Sequence, residues 1–153
     1  MTHKLKPEDQ LNFILGGHAL FTIKNTITDG RFTYKVEAPH GVKPEESNVL
    51  FVKVLTGPEN TRDYRYIGYI KNSLFIHGGL KAKVGKDAQS VIAFDFIFNR
   101  LLTKGFNKPN LEVWHEGKCA RCGRTLTVPE SIENGIGPEC AKIQAFAHVH
   151  NHA

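Results

Sequence analysis

The sequence predicts an α+β fold: an antiparallel sheet of four or five strands with one packed helix. Three observations carry this reading. Between residues 18 and 77, short segments alternate apolar and polar residues and are separated by turns rich in Gly, Pro, Asn and Asp. Nothing between them is long enough for the helical crossover that parallel strands need. Residues 88–103 instead repeat apolar side chains at spacings of three and four, the period of a helix.

The elements follow in order. "LNFILGG" is a short apolar stretch stopped by Gly16 and Gly17, and reads as a helix packed on the core. "HALFTIKN" places Ala19, Phe21 and Ile23 on one side. "RFTYKVEA" places Phe32, Tyr34 and Val36 on one side and Thr33, Lys35 and Glu37 on the other. Asp29-Gly30 between them is a hairpin turn. "APHGVKPEESN" is a loop by composition, and "VLFVKVL" is a third strand with Leu50, Val52 and Val54 on one face. After the turn "TGPENTRD" come a tyrosine-rich strand, "YRYIGYI", and a fifth, "SLFIHG". The helix 88–103 has Asp87 as its candidate N-cap and Gly105 as its stop.

"NKPN" at 107–110 marks an expected domain boundary. The sheet domain is expected over 1–110, a metal-binding module over 111–147 and a flexible tail over 148–153. Within the module, Pro129 opens a helical turn that stops at Gly135. Pro138 opens a second helix running to about Phe146, with Cys140 in its first turn.

Bulk properties narrow the classes. The 153 residues suit one domain with a small appendage, and 41% hydrophobic residues support a core. No run approaches the about 20 apolar residues of a membrane helix. The opening "MTHKLKPEDQ" lacks a signal-peptide core. The expectation is a cytoplasmic protein without a membrane partner. The formal charge of +5 is unevenly spread: residues 1–110 hold sixteen Lys/Arg against ten Asp/Glu, and residues 111–153 hold four against five.

All three cysteines fall in one segment, spaced His115-x3-Cys119-x2-Cys122-x17-Cys140. An odd count argues against a disulfide framework. Two cysteines separated by two residues form a knuckle that aims both sulfurs at one ion, and Gly123 lets amides turn toward them. A third cysteine at a helix start completes a common structural zinc arrangement, finishing like a treble clef. His115 is the expected fourth ligand, with His148, His150 and His152 as alternatives. Four protein ligands leave no open position for catalysis. The zinc is therefore expected to be structural, replacing a core too small to stand alone.

"CARCGRTLTVPESIENGIGPECA" resembles the signature of an uncharacterised zinc-knuckle family found in phage and prophage proteins. Cys119, Cys122, Gly123 and Arg124 match its first part. Leu126, Thr127, Pro129, Glu130, Ser131 and Ile132 match its middle. Gly135, Gly137, Pro138, Glu139 and Cys140 match its end. Upstream segments such as "FTIKNTITDGRFTYKV" and "EVWHEGKC" are similar to small phage proteins carrying this tail. The resemblance implies a phage accessory protein in the bacterial cytoplasm, with one zinc ion and no catalytic residues to carry over.

Three functions are weighed. Single-stranded nucleic acid suits the interleaved aromatic and basic residues of the N-terminal part: Arg31, Phe32, Tyr34 and Lys35, then Arg62, Tyr64, Arg65, Tyr66 and Tyr69. Lys71, Lys81, Lys83 and Lys86 extend this set into a glycine-rich loop. Against this, strand tyrosines are mostly packing residues, and edge lysines prevent aggregation. A protein-binding inhibitor of a host defence or host machine is the second reading, with a sheet edge or the 38–48 loop as its contact. A nucleotide-acting enzyme is the third; the chain has no P-loop, no His-Glu-x-x-His and no paired acidic motif.

Overall fold

The computed structural model describes residues 2–59 and 62–143. One antiparallel sheet organises them. Its strands are β1 (His3–Lys4), β2 (His18–Asn25), β3 (Arg31–Glu37), β4 (Leu50–Leu55), β5 (Tyr64–Lys71), β6 (Leu74–His77) and β7 (Leu111–His115). They lie in the order β1-β7-β2-β3-β4-β5-β6, and every neighbouring pair is antiparallel. The sheet is thus α+β in class but larger than expected, with seven strands. The sequence reading lacked β1, which is two residues long, and β7, which sits among the residues assigned to the cysteine module.

The helices are α1 (Pro7–Ile14), α2 (Gln89–Asp95) and α3 (Pro129–Asn134). α2 begins without the expected Asp87 cap: its N-cap residue is Ala88 and no side chain caps it. It widens into a π-helical turn over Phe96–Leu101 and tightens into a 3-10 turn over Leu102–Lys104. Gly105 then ends it in the left-handed region at φ 76°.

The helices cover one face of the sheet. Alternation sends Ala19, Phe21 and Ile23 of β2, Tyr34 and Val36 of β3, and Val52 and Val54 of β4 to that face, where all are buried. Aromatic rings knit the layers together. Phe94 stacks on Phe98 at 5.6 Å and meets Phe75 edge-on at 4.9 Å. Phe21 and Tyr34 lie 5.7 Å apart beneath them.

A β-bulge decides what the opposite face displays. Val52 pairs with Gly68 and Lys53 pairs with Tyr66, so Ile67 is an extra residue on β5. In an unbroken strand, Tyr66 and Tyr69 would point to opposite sides. The bulge removes that conflict. Ile67 is buried in the core, while Tyr64, Tyr66 and Tyr69 pair with Leu55, Lys53 and Phe51 on the uncovered face.

The segment after Asn110 is built into this scaffold. β7 pairs with both β1 and β2. Cys119, Ala120, Leu126, Ile136 and Cys140 share one buried cluster with the core residues of the sheet. Gly135 ends α3 at φ 79°, and a side chain there would collide with the Phe13 ring. The helix expected from Pro138 is present over 138–143; its expected end at Phe146 and the tail 148–153 lie outside the described residues.

Candidate metal centre and open sheet face

The knuckle is a tight backbone loop. Cys119 N–H donates to the carbonyl of Arg124, and Gly123 N–H donates to the carbonyl of Cys119, both at 2.8 Å. Gly123 takes φ 77° to close the turn. The second rung joins Leu126 N–H to the carbonyl of Gly117. Cys140 arrives from the first turn of the helix over 138–143. The Sγ atoms of Cys119, Cys122 and Cys140 all lie within 4.8 Å of one another. None forms a disulfide; Cys119 and Cys140 are buried and Cys122 is exposed.

The surroundings of the Cys119 sulfur suit a thiolate. Arg121 N–H at 3.4 Å and Gly137 N–H at 3.3 Å donate to Cys119 Sγ. The Arg121 guanidinium reaches Cys140 Sγ at 3.5 Å. Burial pushes the Cys119 thiol up, but donors from Gly137, Cys122 and Arg121 together hold it below its ordinary value. Burial dominates at Cys140 and pushes it up to about 11, against the pull of Arg121. Three convergent sulfurs with amide donors aimed at one of them fit a soft divalent ion.

Residues 111–144 match the model of DUF6011, a family of unknown function. No curated protein and no solved structure matches the chain. The DUF6011 match begins at the first residue of β7 and takes in the knuckle and all three cysteines. The sheet strands β1–β6 and helices α1 and α2 lie outside it.

His115, expected as the fourth ligand, stands apart from the three sulfurs. Its side chain is fully buried, and both ring nitrogens are in use. Nδ1 accepts the N–H of Gly117 at 3.0 Å, and Nε2 donates to the carbonyl of Ile132 at 2.7 Å. That pairing fixes the neutral ring, and burial lowers its pKa further in the same direction. The physical reason is its place on β7: it shares a face with Val113, packs 5.2 Å from the Phe13 ring, and brackets the knuckle to α3. The alternatives His148, His150 and His152 lie outside the described residues.

The residues expected at a nucleic-acid surface divide into three groups. Tyr34 does not belong to any surface. It is fully buried and its hydroxyl donates to the carbonyl of Ser90 at 2.6 Å, because its register matches Val36. Arg31, Lys35, Tyr64, Tyr66 and Lys71 lie on the uncovered face, where Lys35 Nζ sits 4.3 Å over the Tyr64 ring. Arg62, Lys81, Lys83 and Lys86 are exposed on the turns beside it, whereas Arg65 of β5, also exposed, pairs with Val54 and so has the opposite parity to Tyr64 and Tyr66. The loop carrying Lys81 and Lys83 packs next to Tyr66: a side chain at Gly78 would meet that ring, and Lys83 N–H donates to the Tyr66 carbonyl at 2.8 Å.

Sequence reasoning missed Phe51, Lys53 and Trp114 on this face. Trp114 pairs with Thr22, and Phe51 meets the Tyr66 ring edge-on at 6.1 Å. Their parity within "VLFVKVL" and "LEVWH" was the available signal. Three acidic partners neutralise part of the surface, through Lys53–Glu37 at 2.7 Å, Lys4–Glu112 at 2.9 Å and Lys24–Asp29 at 3.7 Å. Arg31, Lys35 and Lys71 form no ion pair among the described residues.

Proposed function

We propose that this chain binds single-stranded nucleic acid across the uncovered sheet face, with one structural zinc ion holding the C-terminal module. The observation that carries the reading is the bulge at Ile67. It gathers Tyr64, Tyr66 and Tyr69 on the same side as Phe51 and Trp114, with Arg31, Lys35 and Lys71, which form no ion pair among the described residues. Bases stack on aromatic faces and phosphates pair with Lys and Arg, and such surfaces need little sequence preference.

Zinc is the ion the donor set favours. It would be held by Cys119, Cys122 and Cys140, and it supplies a crosslink between the knuckle and the helix that carries Cys140. Three thiolates and Zn²⁺ sum to −1, and the Arg121 guanidinium, itself paired with Glu45, donates to Cys140 Sγ at 3.5 Å. No step of chemistry is assigned to the ion. A phage accessory role in a bacterial cytoplasm, which the signature resemblance implies, accommodates this activity.

The test is anisotropy of a labelled single-stranded oligonucleotide over a salt series. Binding that weakens log-linearly with salt supports the reading. No binding at low salt overturns it. A protein partner is the second reading, favoured by Ile92 and Phe96, which stay exposed on the outer side of the helix that starts at α2. Nuclease-resistant capture of a stoichiometric protein, with no oligonucleotide affinity, would establish it instead.

A further inference from the structure

One row of paired residues crosses the uncovered face from β7 to β5. Trp114 of β7 pairs with Thr22 of β2, and Thr22 pairs with Thr33 of β3. On the far side, Leu55 of β4 pairs with Tyr64 of β5. A groove of about 390 Å³ joins the two halves, because Thr22, Thr33, Leu55 and Tyr64 all line it. The row thus has an aromatic ring at each end and short side chains between. Its middle is low for a chemical reason. The Thr22 and Thr33 hydroxyl oxygens lie 2.7 Å apart and bond to each other, so the pair satisfies itself without a taller partner above it.

Charge along the row is uneven. The Trp114 indole N–H donates to Glu112 at 3.2 Å, and Glu112 pairs with Lys4 at 2.9 Å. A ring held by its edge can still stack through its face. Glu112 and Glu116 are on and just past β7, which disfavours phosphate at that end. Arg31 and Lys35 stand two residues to either side of Thr33, and neither forms an ion pair among the described residues. Lys35 Nζ also reaches to 4.3 Å over the Tyr64 ring. Phosphate is therefore favoured at the centre of the row and bases at its ends. The other path, along the tyrosines of β5, is poorer in cations. Tyr69 pairs with Phe51 and Ile76, and Lys53 beside Tyr66 is tied to Glu37.

We propose that the bound single strand crosses the β-strands along this row, stacking one base on Trp114 and another on Tyr64 while Arg31 and Lys35 hold the phosphates between them. The proposal rests on the nucleic-acid reading above and adds the direction of the strand and the length of the site. Trp114 and Tyr64 are four strand spacings apart in the order β7-β2-β3-β4-β5, roughly 19 Å at about 4.8 Å each. A strand stacked as in B-DNA, at about 3.4 Å per nucleotide, would need about six nucleotides to cross that distance, and an extended one fewer. The site therefore takes about four to six nucleotides.

Trp114 is the only tryptophan of the chain, so its fluorescence reports on one end of the row directly. The experiment titrates the zinc-loaded full-length protein at low salt with oligo(dT) of increasing length, from a dinucleotide to a decamer. Tyr64→Ala, Trp114→Ala and Tyr69→Ala are compared by anisotropy competition, each checked by thermal melting. Wild-type affinity should rise steeply up to about four to six nucleotides and then flatten, with Trp114 quenched at saturation. Tyr64→Ala and Trp114→Ala should each weaken hexamer binding by about tenfold, the scale of one base stack, and Tyr69→Ala should weaken it less. Unquenched Trp114 at saturation overturns the crossing path and leaves the broader reading standing; this readout uses the wild type and does not depend on any variant folding. Affinity already complete with a dinucleotide, or Tyr69→Ala costing more than Trp114→Ala, overturns the path in the same way. Failure of every oligomer to bind overturns the broader reading as well.

Discussion

Arg121 and Glu45 form a two-point ion pair. Nη2 lies 2.7 Å from both carboxylate oxygens, and Nε lies 3.2 Å from Oε2. The same guanidinium donates to Cys140 Sγ. Glu45 sits on the 3-10 turn Pro44–Glu46 between β3 and β4, so one side chain ties the thiol cluster to the sheet. Hydrogen bonding to Arg121 lowers the Glu45 pKa, and Arg121 is itself raised by Glu45.

Arg121→Ala should therefore speed zinc loss to a chelator and lower the melting temperature. A charged hydrogen bond of this kind is worth roughly 1.5–3 kcal/mol, less whatever solvent screens. Arg121→Lys should recover only part of the loss, because an ammonium cannot make the forked contact. Chelator competition and thermal melting read both effects.

Replacing His115 separates scaffolding from ligation. His115→Ala should destabilise the fold by about 2–4 kcal/mol, since it opens a cavity and strands the Gly117 N–H and the Ile132 carbonyl. The folded fraction should still hold one equivalent of zinc. Cys122→Ser or Cys140→Ser should release the ion and disorder the module. Metal analysis paired with denaturant unfolding distinguishes the two behaviours.

Tyr34→Phe should cost about 0.5–1.5 kcal/mol through the lost bond to Ser90 and leave oligonucleotide affinity unchanged. Tyr64→Ala should do the reverse. The Tyr34 phenol also sets an alkaline limit. Burial pushes its pKa far above the ordinary 10.0, so above that pH the unfolded chain loses a proton the folded one keeps. Stability is unaffected below pH 10 and should fall at higher pH by up to about 1.4 kcal/mol per unit. The phenylalanine variant should lack that slope in pH-dependent unfolding.

Asn99 guards the edge of the sheet. Its side-chain amide accepts the Phe75 N–H at 2.8 Å and donates to the Phe75 carbonyl at 3.0 Å, as a further strand would. The π-helical turn places it there. Asn99→Ala should leave the β6 edge open, cost about 1–3 kcal/mol and promote concentration-dependent self-association. Light scattering against protein concentration checks this.

Strands β2 to β5 were legible because alternation is a local signal. The bulge was not, because it depends on which residues of β5 meet β4. β7 was hidden by its neighbourhood: five residues beside a metal motif read as part of that motif. The Tyr34 and His115 expectations failed for one reason. Each was read by residue type, yet each has the parity of a buried valine on its own strand, Val36 and Val113 respectively. The cysteine spacing carried more information, since a knuckle and a helix start are local devices that need little tertiary context.

Amide chemical-shift mapping of a single-stranded oligonucleotide titrated into the zinc-loaded protein addresses the central claim most directly. The account predicts shifts concentrated on β2 to β5 and β7, strongest around Arg31, Tyr64, Tyr66 and Trp114, with α2 and the knuckle loop quiet. Shifts confined to α2 or the cysteine module, or none at saturating oligonucleotide, would contradict it.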